Sequence, residues 1–172
     1  MAGVSRNPRS GLVFVKSGTC SALAGGLSID DCFSATYNNY RIIVSGVCPA
    51  STTNFEARLR VSGTDATTAY TSQFIRAVST TVTGGAGTSD PASAMVGVVS
   101  TAESIVSIDV AGPFLAQQTA FTATNGVSSR LDFCSAIHST ATSYTGLSFF
   151  PDVNQPARTL TITARVYGYA NS

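Results

Sequence analysis

The chain has 172 residues, with Lys+Arg 10 against Asp+Glu 9, a single His and no Trp, for a formal net charge of +1. Only 11% of residues are charged and 44% are hydrophobic, which argues against a disordered acidic or basic tail. The scattered arginines form no clustered basic footprint, so no nucleic-acid partner is expected. The longest apolar runs, Gly11–Val15 and Ala94–Val99, fall far short of the roughly 20 residues of a membrane-spanning helix, so no membrane insertion is expected either.

What remains is a neutral chain carrying 23 Ser and 22 Thr, about a quarter of the whole. Its length suits one domain. Met1–Ser10 holds Arg6 and Arg9 but no cleavage-site pattern, so no signal peptide is read there. Residues 1–10 read as an extended N-terminal arm, and two readings of it stay open: a frayed terminus, or a segment docked on a neighbouring subunit.

Residues 11–172 read as all-β, because helical periodicity is nearly absent while strand alternation recurs. The first candidate strand opens at Leu12–Lys16, with both faces largely apolar. In Arg41–Ser45, Ile42 and Val44 share one face. Phe55–Ser62 alternates cleanly, placing Phe55, Ala57, Leu59 and Val61 inside and Glu56, Arg58, Arg60 and Ser62 outside. Arg60→Glu is accordingly expected to leave the fold intact. Further candidates follow at Ser72–Ser79, Ala94–Val99, Ser104–Val110, Ala120–Thr124, Ser129–Ile137, Tyr144–Phe150 and Thr159–Tyr169. About 8–10 short strands separated by turn residues predict a single antiparallel β-sandwich, jelly-roll-like. Asn125-Gly126 predicts a two-residue hairpin turn. Gly84–Gly87 predicts a surface loop, and Asp30-Asp31 the end of a strand.

The inventory for catalysis is thin. His138 is the sole histidine. Alternation puts Leu131, Phe133 and Ile137 on the apolar face and Asp132, Cys134 and His138 on the other, so a solvent-facing or inter-subunit histidine is expected. Cys134 and His138 then lie about 13 Å apart along the strand, too far for a nucleophile–base pair. Asp109 and Asp132 are the carboxylates that a sheet could bring together, as glycoside hydrolysis requires. Cys20, Cys32, Cys48 and Cys134 show no C-x-x-C spacing, so thiols filling apolar space are expected, with a disulfide as the alternative. The expectation is a protein with no catalytic, cofactor-binding or metal-binding residues. Tyr167 and Tyr169 flank Gly168 on the polar face of the last strand. They read either as a contact surface for protein or sugar or as aromatic residues that stabilise the sheet. With Arg6 and Arg9 they are the candidate interface or ligand contacts.

Two stretches carry a resemblance. Gly11-Leu12-Val13-Phe14-Val15-Lys16, Phe33-Ser34 and Tyr37-Asn38-Asn39-Tyr40-Arg41-Ile42-Ile43-Val44-Ser45-Gly46 form the first. The second is Thr142-Ser143-Tyr144-Thr145-Gly146-Leu147, Leu160-Thr161-Ile162 and Arg165-Val166-Tyr167-Gly168-Tyr169. Together they resemble a β-sandwich module of virion proteins in tailed bacteriophages, marine and cyanobacterial phages in particular, over roughly the first third and last fifth of the chain. The resemblance implies a non-enzymatic structural protein, made in the host cytoplasm and exposed on the virion. Similar modules serve as capsid decorations, as knobs and as heads of tail fibres. With only an arm ahead of the module, a shaftless cement protein or tail knob is expected, self-associating as a homotrimer and bound to other virion proteins. The alternative is a receptor-binding tail module that recognises a host-surface glycan.

Overall fold

The alternation of apolar and polar residues folds into two facing layers of antiparallel strands. The computed structural model describes residues 11–86, 91–127, 129–152, 154–155 and 157–170. The large sheet runs, in spatial order, β1 (Leu12–Leu23), β13 (Leu160–Tyr169), β3 (Asn39–Val47), β9 (Ser104–Ala111), β10 (Thr119–Val127), β11 (Arg130–His138), β6 (Tyr70–Val78) and β7 (Thr81–Ala86). The smaller sheet runs β2 (Leu27–Ile29), β12 (Gly146–Pro151), β4 (Thr53–Val61) and β5 (Thr64–Asp65), with β8 (Ala94–Val99) also paired to β4. The expected antiparallel all-β sandwich is therefore present across the described residues. Residues 1–10 lie outside the described residues.

The core is built by the inward side chains of both layers. Ile42 and Val44 of β3, Val106 and Ile108 of β9, and Ile162 and Val166 of β13 meet Phe55, Leu59, Leu147 and Phe149 of the small sheet. Phe55 and Phe149, on neighbouring strands, stack at 5.2 Å between ring centroids. The four cysteines are buried thiols, as expected. Burial pushes Cys32 and Cys134 up to about 12, so neither is a ready nucleophile.

Several local expectations are corrected. Glu56 is fully buried instead of facing solvent, because the segment entering β8 crosses its face: Ser93 Oγ donates to Glu56 Oε2 at 2.7 Å, and Arg58 Nε donates to the Ala92 carbonyl at 2.8 Å. Asn125 and Gly126 are not a turn. Both lie within β10, the reversal follows at Val127↔Arg130, and buried Asn125 uses its side chain elsewhere. Gly84, Gly85 and Ala86 belong to strand β7, paired with Ile75, Phe74 and Gln73, and Gly87 lies outside the described residues. Arg60 is clamped between Asp30, at 2.8 Å, and Asp65, so Arg60→Glu would add a third acid to that cluster and weaken the fold.

Leu59 lies against the centre of this core with no solvent exposure. Leu59→Asp is expected to abolish cooperative unfolding, because a buried unpaired charge costs several kcal/mol against a total stability of about 5–15 kcal/mol. A far-UV circular dichroism melt without a transition is the expected reading; a normal melt would contradict the face assignment.

Candidate functional site on the outer face of the large sheet

Strand register fixes which side chains share the outer face of the large sheet, since directly opposed residues of antiparallel strands point the same way. One row crosses the sheet as Phe14, Tyr167, Arg41, Asp109, Thr122, Ser135 and Gln73. The next runs Arg165, Ile43, Ser107, Thr124, Phe133, Ile75 and Gly84. A third runs Ser45, Ile105, Gly126, Leu131, Ala77 and Val82. The face thus has two halves, one aromatic and charged, the other holding a large apolar patch among uncharged Ser, Thr and Gln side chains.

The aromatic half contains the tyrosines singled out by sequence, and it gives each a separate partner. Tyr167 meets Phe14 of β1 edge-on at 5.8 Å. Tyr169 Oη donates to Asp109 Oδ1 at 2.5 Å, with the Arg41 guanidinium 5.8 Å from the Tyr169 ring centroid. Arg41 grips Asp109 in a bidentate pair, Nε to Oδ1 at 2.9 Å and Nη2 to Oδ2 at 2.6 Å. The bonds from Arg41, and then from Tyr169, hold the Asp109 carboxyl below its ordinary value. Gly168 is required between the tyrosines, because a Cβ there would run into the Tyr37 ring. Arg6 and Arg9 lie outside the described residues.

In the apolar half the expected faces of β11 are exchanged. Leu131, Phe133 and Ile137 point outward, while Asp132, Cys134, Ala136 and His138 are buried. Leu131, Ile105 and Ile75 are each 58% exposed, Val82 68%, and Phe133 and Ile137 46%. A shallow groove of about 330 Å³ runs between Phe133, Ile75, Gln73 and the Gly84–Gly85 backbone.

The inner row explains the exchange. Asp132 is fully buried and bonded by two guanidinium groups, Arg76 Nε at 2.7 Å and Arg130 Nε at 2.6 Å. Its neighbour across the pair, Asn125, accepts the Val98 N–H at 3.0 Å and donates to the Ile105 carbonyl at 3.1 Å. His138, expected at the surface, is packed against the Tyr70 ring at 4.5 Å with Tyr144 Oη 3.3 Å from its Nδ1. Burial pushes its pKa down. Asp109 and Asp132 do not converge. They sit on opposite faces of the sheet, and β10 separates their strands, so this pair cannot act as two carboxylates across one glycosidic bond. Among the described residues no group of His, Cys, Asp and Glu is arranged to hold a metal ion.

No protein-family model matches the chain, and no curated protein matches it. Among solved structures, a lectin from Bauhinia forficata in complex with GalNAc aligns over 92% of this chain and 82% of its own, at 9% identity and a TM-score of 0.16. The structure of infectious bursal disease virus, Gx strain, aligns over 98% of this chain and 38% of its own, at 11% identity and a TM-score of 0.15. Scores this low carry no argument about fold or function.

The inner face of β11 makes two predictions. Removing both partners of Asp132, as Arg76→Ala with Arg130→Ala, is expected to cost about 3–5 kcal/mol, because an unpaired carboxylate stays buried; urea denaturation checks it. Burial holds the His138 pKa below its ordinary value of 6.5 in the folded chain. The unfolded chain therefore takes up its proton first, and stability is lost as pH falls below that value. Thermal melts at about pH 7.5 and about pH 5 should show this loss in the wild type and a smaller one in His138→Gln.

Proposed function

We propose that this chain is a non-enzymatic structural subunit of a tailed-bacteriophage virion, exposed on the particle as a capsid decoration or cement protein or as a tail knob, and assembled by self-association. The observation that supports this most is the apolar half of the outer face. Large aliphatic and aromatic side chains are gathered there, while the charged residues of β11 and β6 turn inward. Apolar side chains left in water are a cost to a monomer, and burial against protein recovers it. The motif resemblance at the two ends of the chain supplies the kind of particle.

A second reading has its own supporting observation. Phe14 and Tyr167 offer ring faces and edges beside the planar Arg41–Asp109 pair, a combination suited to stacking on a sugar while bonding its hydroxyls. On that reading the chain is a glycan-recognising tail module.

Immunogold labelling of purified particles, paired with a glycan array of the isolated protein, separates the two. Label on heads or tail tips without glycan binding is the expected result. Binding to host glycan that Tyr167→Ala abolishes would move the assignment to the second reading. A protein absent from particles and silent on the array would remove both.

A further inference from the structure

We propose that the outer face of the large sheet over β9, β10, β11, β6 and β7 is where two copies of this chain meet, face to face. This rests on the assembly reading above and names the partner and the surface.

The apolar side chains are contiguous. Ile105, Leu131 and Val82 lie in one cross-strand row, with Gly126 and Ala77 between them, and Phe133 and Ile75 lie side by side in the next. The small residues make the face a set of knobs and holes. A Cβ added at Gly126 would meet nothing within 4 Å, so the space beside Leu131 is open to a side chain from outside. Two such faces can interdigitate as the two sheets of a sandwich do.

Charge favours a copy of the same chain over a different partner. The one ionised side chain that register places on this part of the face is Asp109, at its border, and Arg41 neutralises it. Two identical faces therefore meet without repulsion, while a charged partner would find nothing to pair with. Area agrees. Five strands about 4.8 Å apart and some 25 Å long present on the order of 600 Å² in projection. That span already holds Asp109, Thr122, Ser135 and Gln73; with Arg41 and Tyr167 beside them, the face approaches the roughly 800 Å² per partner of a standard interface. Residues 1–10 are a poor occupant, since Met1 and Val4 are the only large apolar side chains in that stretch. A face-to-face contact of like surfaces is two-fold and closes a pair, whereas a three-fold arrangement would have to use another surface.

Sedimentation equilibrium of the full chain tests this. The wild type is expected to show twice the chain mass of 17.7 kDa and to dissociate on dilution. Leu131→Arg, at a position already exposed, is expected to fold normally by circular dichroism and to associate at least about a hundred-fold more weakly, as loss of a central contact does. Arg165→Ala, at the other end of the same face, should leave the mass unchanged. A wild-type monomer, a three-fold species, or a Leu131→Arg pair of undiminished affinity would overturn the inference. The reading beneath it fails separately. A pair that labels no particle keeps this inference and removes the virion role, and a monomer found on particles does the reverse.

Discussion

Asp132 lies fully buried between the guanidinium groups of Arg76 and Arg130, and the direction every side chain of β11 takes is tied to that site. A strand has a side-chain period of two, so sliding β11 by one residue would bring Leu131, Phe133 and Ile137 inside and put Asp132 in water. Composition alone favours that alternative. The observed register holds because the polar residues of three strands line up across one inner row, Asn125 beside Asp132 beside Arg76. Each finds partners there. A slip would strand them individually, and a buried charge or amide without partners costs more than the apolar side chains would gain.

The inner row has a second task, which is to dock β8. That strand belongs to the small sheet through its pairing with β4, and all six of its residues are buried against the β10–β11 end of the large one. Two of its N–H groups are taken up by side chains from the opposite layer, Met95 by Ser72 Oγ at 3.1 Å and Val98 by Asn125 Oδ1 at 3.0 Å. Gly97 sits between them, where a Cβ would press on Asn125 at 3.1 Å. Polar groups face inward at this end because a backbone must be satisfied there, and the apolar residues alternating with them are left on the outside. The exposed patch is thus a consequence of how the sandwich closes. It leaves a surface that assembly can use.

This also marks what was legible in the sequence. The core strands could be read because β3, β9 and β13 alternate in the ordinary sense, with Ile42 and Val44, Ile108 and Val110, Ile162 and Val166 inside. Tyr167 and Tyr169 were correctly placed on an outer face, but their partners Phe14 and Asp109 come from strands 153 and 60 residues away, which no local pattern reveals. The apolar patch was missed because alternation gives a strand two faces without saying which is inside. Hydrophobicity chose the wrong one for β11, and with it the place of His138. The signal available was the coincidence of Asn125, Asp132 and Arg76 in adjacent strands, visible only once the pairing is known.

The sandwich has two routes to self-association, its sheet edges and its sheet face, and the edges are the weaker route. β1, at one edge, is interrupted by register shifts between Phe14 and Lys16 and between Cys20 and Leu23, and it carries the only lysine in the chain. Bulges and an edge lysine are devices that discourage another strand from adding on. β7, at the other edge, is six residues long and contains Gly84 and Gly85, and short glycine-containing strands make poor templates. Edge pairing would also continue indefinitely, producing fibres. Contact through the face ends when two copies have met, because each copy has one such face. Guarded edges on the large sheet beside an uncovered apolar patch fit the proposed closed contact better than an open one.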